Sequence, residues 1–292
     1  MKISISQLSK LISQKFQRYW KFVIPSLMSL ILAVTLNPFV VSAFDLSDLF
    51  RILPSAIQII RLSSIGDNDE IALGRQIDAQ IQQEVRISRD PAANALVNRL
   101  GKILAPRSDR PNIPYTFRVV DDKNLNAFAT MGGFVYINTG TIAASDNVAQ
   151  LASVIGHEMG HIAGRHALEQ MKQMAIAQGI ATIAGVADDR LVGIGVDLAL
   201  RLPNSREAEF DADRRGLMNI TRAGFAARAM PAFMQKLASA SNGGNAPAFL
   251  STHPATNDRI NALNKAIQAN NFNTSGGLND TEYQRIWRSR FR

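Results

Sequence analysis

The chain has 292 residues, 46% of them hydrophobic, no cysteine, and a formal net charge of +8. That length can bury a full core in one domain of ordinary size, and the missing thiols exclude disulfides, thiolate metal ligands, a lipoprotein anchor and a cysteine nucleophile together. The charge does not point to nucleic acid: residues 1–43 carry Lys2, Lys10, Lys15, Arg18 and Lys21 without an acid, which leaves 27 basic against 24 acidic residues elsewhere, an ordinary solvated surface.

The basic block precedes the apolar run Phe22–Phe44, where Val-Ser-Ala before Phe44 has the small-residue spacing of an export cleavage site. Residues 1–43 therefore read as a signal peptide cut after Ala43, or as an uncleaved signal anchor, which the length permits. Either form sends the remainder across a membrane, to a periplasmic or other extracytoplasmic place. Residues 44–66 read as a linker, 67–270 as the folded domain, and 271–292 as a flexible link with a basic amphipathic tail.

Within the domain, Asp67 or Asn68 opens a helix to about Val85, with Glu70 in the capping-box place. Asp90-Pro91 starts a second that ends near Leu104. Tyr115–Val120 and Gly133–Asn138 are β-rich and bounded by turn residues, and Asn126–Gly133 offers a third strand between them. Ser145 or Asp146 then caps a long helix. The segment Ala175–Leu202 is rich in alanine, isoleucine and glycine but too interrupted to span a bilayer. Helical patterns recur at Asn204–Ala223, Ala226–Ala238 and Asn257–Ala269. The expected class is α+β: mostly helical, with a small sheet beside the long helix.

That long helix carries Val154–His166, "VIGHEMGHIAGRH", with three of the four histidines. Residues four apart share a helix face, so His157 and His161 can grip one ion with Glu158 beside it. Composition alone would yield about 0.001 occurrences of this pattern. Gly156, Gly160 and Gly164 recur every fourth position, each costing up to ~1 kcal/mol of helix propensity, which implies close packing by a neighbouring element. A hydrolytic zinc needs a third protein ligand and an open place for water. His166 falls one residue short of the metzincin spacing, since position 167 is Ala167, and on a continuous helix it points roughly 140° from His161. A packing or supporting role is expected for it.

The better third ligand lies in Asn204–Ile220. Projected as a helix with Glu209 at zero, Asp213, Gly216, Leu217 and Ile220 fall on one face within roughly 80°, while Glu207, Asp211, Arg214 and Arg215 take the opposite, solvated side. Asn204 with Glu207 forms a capping box. Glu209 and Asp213 are thus the inward carboxylates, which must be paired or bound to metal. Glu209 is assigned as the third ligand and Asp213 as the partner orienting a ligand histidine; an inward salt bridge from Glu209 to Arg206 is the plain alternative. His253, fixed by Pro254 and followed by a helix, either donates to a developing oxyanion or fills the open metal position at rest, with Arg259 in support.

These residues give the chain its resemblance. "HEMGH" (157–161), "SREAEFDADRRG" (205–216) and "HPATNDRI" (253–260), in that order, are similar to the HtpX and BepA-like zinc endopeptidases, relatives of the CAAX prenyl proteases. Residues 126–140 also resemble the family strand before the catalytic helix. The resemblance implies a zincin-type fold, one Zn2+ held by His157, His161 and Glu209, Glu158 as catalytic base, and places near the site for Asp213, His253 and Arg259. It implies hydrolysis of internal peptide bonds, with misfolded or unassembled exported or membrane proteins as the substrate class. The membrane spans of the HtpX and prenyl-protease branches and the helical repeats of the BepA branch find no counterpart, so a near-minimal exported catalytic domain is expected.

Gly132, Gly133, Phe134, Val135 and Tyr136 are expected to hold substrate as an added strand, the glycines permitting close backbone approach. Residues 175–202 are expected to cover the cleft. Two rivals stand beside the peptidase: a chaperone-like holdase with a structural zinc, and a membrane-surface module using the tail "IWRSRFR" (286–292). A structural zinc has no use for a base at Glu158.

Overall fold

Alternating side chains on three short strands divide the core into two apolar layers. The computed structural model describes residues 65–177, 189–241, 247–254, 257–272 and 275–291, all within one compact unit, 58–292. The expected leader or anchor, nearly all of the linker, and positions 178–188 of the apolar segment lie outside the described residues.

Among the described residues, helices α1 (Asp67–Glu84) and α2 (Pro91–Leu104) lead; Asp90 caps α2 by accepting from the amides of Ala92 and Ala93, and Pro91 occupies its first turn. Strands β1 (Thr116–Val120), β2 (Ala127–Thr130) and β3 (Phe134–Asn138) form a mixed sheet in the order β1-β3-β2, with β1 parallel and β2 antiparallel to β3. The short α3 (Thr139–Ala144) leads into α4 (Val148–Ala163), the motif helix. Then follow α5 (His166–Ala177), α6 (Asp189–Leu200), α7 (Arg206–Arg222), α8 (Ala229–Ser241), the single turn α9 (Phe249–Thr252), α10 (Asn257–Ala269) and α11 (Asp280–Arg290). The class is α+β, mostly helical, with the small sheet beside α4. Among the described residues no helix is long and apolar enough to cross a membrane.

Period two decides which layer each strand residue joins. Val135 and Ile137 enter the larger cluster with Leu100, Leu151 and Ile155, whereas Phe134 and Tyr136 enter the smaller one with Ile77, Ile81, Leu168 and Ile194. Each fully buried aliphatic contributes about 1.5–3 kcal/mol. The close-packing element implied by the glycines is α7: a Cβ on Gly160 would stand 2.5 Å from the Ala212 carbonyl oxygen, and one on Gly216 would stand 2.9 Å from the Gly156 backbone. This backbone-to-backbone approach brings the acidic face of α7 against the histidines.

Several expectations need correction. Asn147, not Ser145 or Asp146, caps α4 by accepting from the Gln150 amide. Glu70 forms no capping box; it is fully buried and pairs with Arg110 and Arg165. Helix α7 starts at Arg206 under a Ser205 cap, so Asn204 and Glu207 are not a capping box. Phe134, Val135 and Tyr136 cannot accept an added strand, because β3 is the central strand and both its edges are paired. Gly132 and Gly133 have φ of 77° and 103°, and a Cβ on Gly132 would meet the backbone of Glu70 and Ile71 at 3.0 Å. Gly132 lets α1 approach the β2–β3 turn, and Gly133 makes room for Ile113 and Pro114, rather than for a substrate. The tail also folds back: Tyr283 and Trp287 are buried in the larger cluster, Arg288 pairs with Asp146, and Arg290 pairs with Asp90. The Gly277 carbonyl accepts from the Ala149 amide at 2.9 Å, tying the expected flexible link to α4. The apolar face of "IWRSRFR" is therefore largely spent on the protein core.

Candidate metal centre

His157, Glu158 and His161 project from α4, Glu209 and Asp213 from α7, His253 from the residue after α9, and Arg259 from α10; all are buried. The His253 loop is held from several sides. Its amide donates to the Phe249 carbonyl at 2.8 Å, its ring stacks on Phe249 with centroids 4.5 Å apart, and the Asn204 amide donates to the Thr252 carbonyl at 3.0 Å. Arg259 Nη1 donates to the Pro254 carbonyl at 2.7 Å.

One ligand atom from each of His157, His161, Glu209 and His253 lies within 4.8 Å of the others. Their separations are 3.1 Å for the Nε2 pair of His157 and His161, 3.3 Å from His157 Nε2 to His253 Nδ1, 3.2 Å from His161 Nε2 to Glu209 Oε1, 3.0 Å from His253 Nδ1 to Glu209 Oε1, and 3.5 Å from His157 Nε2 to Glu209 Oε2. Nitrogen and oxygen ligands about 2.0–2.1 Å from a tetrahedral ion must themselves be about 3.3 Å apart. The residues present therefore fit a divalent cation of zinc's size and donor preference. Glu158 stands beside them with both carboxylate oxygens buried and without a hydrogen-bond partner, the nearer one 3.6 Å from His253 Nε2.

The outward nitrogens have partners of different kinds. His157 Nδ1 is 3.0 Å from Asp213 Oδ1, and Asp213 receives two hydrogen bonds of 2.7 Å from Arg259. His161 Nδ1 is 2.9 Å from His166 Nδ1, whose Nε2 is 3.2 Å from Asp211 Oδ2. Arg259 also reaches Glu209 Oε2 at 2.5 Å.

The electrostatics follow from these neighbours. Burial works to lower the His157 imidazole, but Asp213 and Glu209 outweigh it and raise the group to about 10. For His161 burial wins and lowers it to about 3, with Glu209 opposing only in part. Burial raises the Glu158 carboxyl above the usual range against the pull of His253 and His157. It would raise Glu209 too, yet His253, His157 and His161 together hold that carboxylate far below the ordinary value. Burial likewise opposes Arg259 and His157 at Asp213, and the two cations prevail. A base whose proton affinity is raised toward neutrality can both accept a proton and return it.

The structure thus brings His157, Glu158, His161, Glu209, Asp213, His253 and Arg259 together, with His166 behind His161. It leaves Gly132–Tyr136 out of the centre. Arg206 pairs with Asp258 instead of Glu209, which removes the plain salt-bridge alternative. Asp211, expected on the solvated side, is half-buried and reaches His166. Sequence reasoning missed Phe249 and Asn204 as supports of His253. The spacing of Phe249 and His253, four apart, was the available signal for the first; nothing local marked the second.

A family model described as peptidase family M48 matches residues 91–267. A putative beta-barrel assembly-enhancing protease of Vibrio cholerae is 30% identical over 213 residues, 68% of this chain and 44% of the relative. The beta-barrel assembly-enhancing protease of Escherichia coli K12 is 28% identical over 228 residues, 70% of this chain and 45% of the relative. The mitochondrial metalloendopeptidase OMA1 of Arabidopsis thaliana is 35% identical over 169 residues, 56% of this chain and 34% of the relative. The chain spans less than half the length of each of these three.

Proposed function

The chain belongs to peptidase family M48, a family of metallopeptidases, and we propose that it is a zinc-dependent endopeptidase acting on internal bonds of polypeptides. The observation that carries this is the set of ligand-atom separations between 3.0 and 3.5 Å, with an unpartnered buried carboxylate next to it. His157, His161 and Glu209 would hold the metal. A bound zinc would supply Lewis acidity toward the scissile carbonyl and lower the pKa of the attacking water.

Glu158 takes the proton from the water and passes it to the leaving amine; its raised proton affinity suits both directions. Asp213 fixes the His157 ring through Nδ1 and is itself fixed by Arg259. His253 turns Nδ1 toward the ligand group and Nε2 toward Glu158, which favours its filling the fourth position at rest over its serving as an oxyanion donor in that state. It must withdraw for substrate to enter. With β3 closed on both edges, the outer edge of β2 is the place for an added substrate strand. A cavity of about 20 Å³, room for about one water, lies beside it, lined by Ala129, Glu158, Leu198, Ala199 and His253. The described part of residues 175–202 roofs that cavity through α6, so a peptide enters when α6 moves. Limited proteolysis of Glu158→Gln with a bound peptide should expose this region; unchanged protection would count against a lid.

On the names of the relatives, the substrate class we propose is misfolded or unassembled exported or membrane proteins, met outside the cytoplasm after residues 1–43 direct export. The decisive measurement pairs zinc content with cleavage of an unfolded polypeptide. Glu158→Gln should keep the metal and lose at least about 10²-fold in rate, and Glu209→Ala should lose the metal. Full zinc occupancy in Glu209→Ala would refute the ligand assignment.

A further inference from the structure

His161 turns Nε2 to the ligand group and Nδ1 to His166. Two ring nitrogens 2.9 Å apart need one proton between them. The far nitrogen of His166 faces Asp211, a carboxylate already accepting from Arg214 at 2.7 Å and Arg215 at 2.5 Å. With both rings neutral, as a metal ligand and its support require, one arrangement of protons satisfies every contact. His161 Nδ1–H donates to His166 Nδ1, and His166 Nε2–H donates to Asp211, which leaves the His161 Nε2 lone pair aimed at the metal position.

Three further features place His166 there. A Cβ on Gly164 would stand 2.3 Å from His166 Nε2 and 2.9 Å from Asp211 Oδ2, so only glycine leaves that contact room. Arg165 has φ 57°, the left-handed region an L side chain rarely adopts. It breaks the helix between α4 and α5 and swings the His166 ring back under His161, which a continuous helix would not do. The side chain that holds this conformation reaches a buried acid: Arg165 Nε donates to Glu70 Oε2 at 2.8 Å and Nη2 to the Ile65 carbonyl at 2.8 Å. Glu70 also binds Arg110, whose Nη1 donates to the Ile162 carbonyl at 3.1 Å at the end of α4.

We propose that Gly164, Arg165 and Glu70 are positioning residues that fix His166 as the acceptor of the His161 Nδ1 proton, so that the Asp211–His166–His161 chain sets the tautomer and metal affinity of His161. This rests on the metal-site reading above. The test is zinc affinity by competition with a chromophoric chelator, together with the visible spectrum of the Co2+-loaded protein. His166→Ala should weaken zinc binding 10- to 100-fold and shift the Co2+ bands, while circular dichroism stays that of the wild type; Arg165→Ala and Gly164→Ala should move both readouts the same way. Unchanged affinity in folded His166→Ala overturns the proposal. Should the variants not fold, histidine ¹⁵N NMR of the zinc-loaded wild type decides: it should show His161 protonated at Nδ1 and His166 neutral with its proton on Nε2. A proton on His166 Nδ1, or an imidazolium there, overturns it. A wild type that takes up no metal overturns the site reading and this inference together.

Discussion

His157 and His161 sit one turn apart on α4 and are buried alike, yet what stands behind them differs. Behind His157 is a carboxylate clamped by a guanidinium, with Asp213 and Arg259 side chains only 4% and 2% exposed. Behind His161 is an imidazole, and behind that Asp211, which shares its charge with Arg215 at 28% and 25% exposure. The consequence is opposite in sign: His157 is raised to about 10 and His161 lowered to about 3. Helix position decides which atoms meet at the centre. The partner on the far nitrogen decides which imidazole holds a proton when no cation is present. Damage on the His157 side should therefore be felt in folding, and damage on the His161 side chiefly in metal binding.

The widest contrast comes from removing the arginine on each side. Arg259→Ala takes the guanidinium from buried Asp213 and Glu209 and leaves two carboxylates facing His157, a loss of about 3–5 kcal/mol. Arg215→Ala breaks a partly exposed pair and should cost about 0–1 kcal/mol. Denaturant unfolding of the metal-free chain measures both. Comparable losses would erase the distinction between the two sides.

The second way to sharpen it is pH. His157 starts from an ordinary value of 6.5 and reaches about 10 in the fold, so its share of stability is complete below 6.5 and lost as pH rises toward 10. His161 starts from 6.5 and falls to about 3, so the unfolded chain takes its proton first and stability is lost as pH drops from 6.5 toward 3. Glu209 and Asp213, both lowered, add to the acid-side loss. Metal-free stability should thus peak near 6.5 and fall by a few kcal/mol on the alkaline side, since a tenfold change in proton affinity is worth about 1.4 kcal/mol. Zinc, which requires both rings neutral with a lone pair free toward the metal, should abolish that alkaline fall. Thermal unfolding across pH, with and without zinc, tests both limbs; a metal-free profile flat from 6.5 to 10 would mean that Asp213 does not load His157.

What the sequence made legible was whatever depends on local periodicity. The 3.6-residue repeat placed His157 with His161 and turned Glu209 and Asp213 inward, and the fourfold spacing of Gly156, Gly160 and Gly164 announced a close neighbour without saying whether it was a helix or a strand. What it hid depends on pairing between distant segments or on one backbone angle. Strand order decided that Phe134–Tyr136 lie in the sheet centre, and no residue in them records it. Glu70 has the look of a first-turn acid, and its burial depends on Arg110 and Arg165 far along the chain. His166 was projected away from the site because nothing marks Arg165 as left-handed, except that Gly164 precedes it. The basic amphipathic pattern of the tail did not say whether water, membrane or protein would meet its apolar face.

Gly160→Ala should have a small effect on stability, and it acts on both sides together. Replacing a helical glycine by alanine gains up to about 1 kcal/mol of propensity, while the added Cβ would stand 2.5 Å from the Ala212 carbonyl oxygen. Backbone atoms cannot rotate aside, so α4 and α7 must separate, at about 1–3 kcal/mol for overpacking. The two terms nearly cancel, leaving a net loss of about 0–2 kcal/mol. Geometry does not cancel. Ala212 lies between Asp211 and Asp213, so pushing it outward draws back the carboxylates behind both histidines, and Glu209 on the same helix with them. Zinc affinity should fall more than with Gly164→Ala, whose Cβ first meets side-chain atoms, those of His166 and Asp211. If Gly160→Ala bound zinc as tightly as the wild type, the approach of the α4 and α7 backbones would be a packing feature alone, and the support of the two ligands would lie in their side chains.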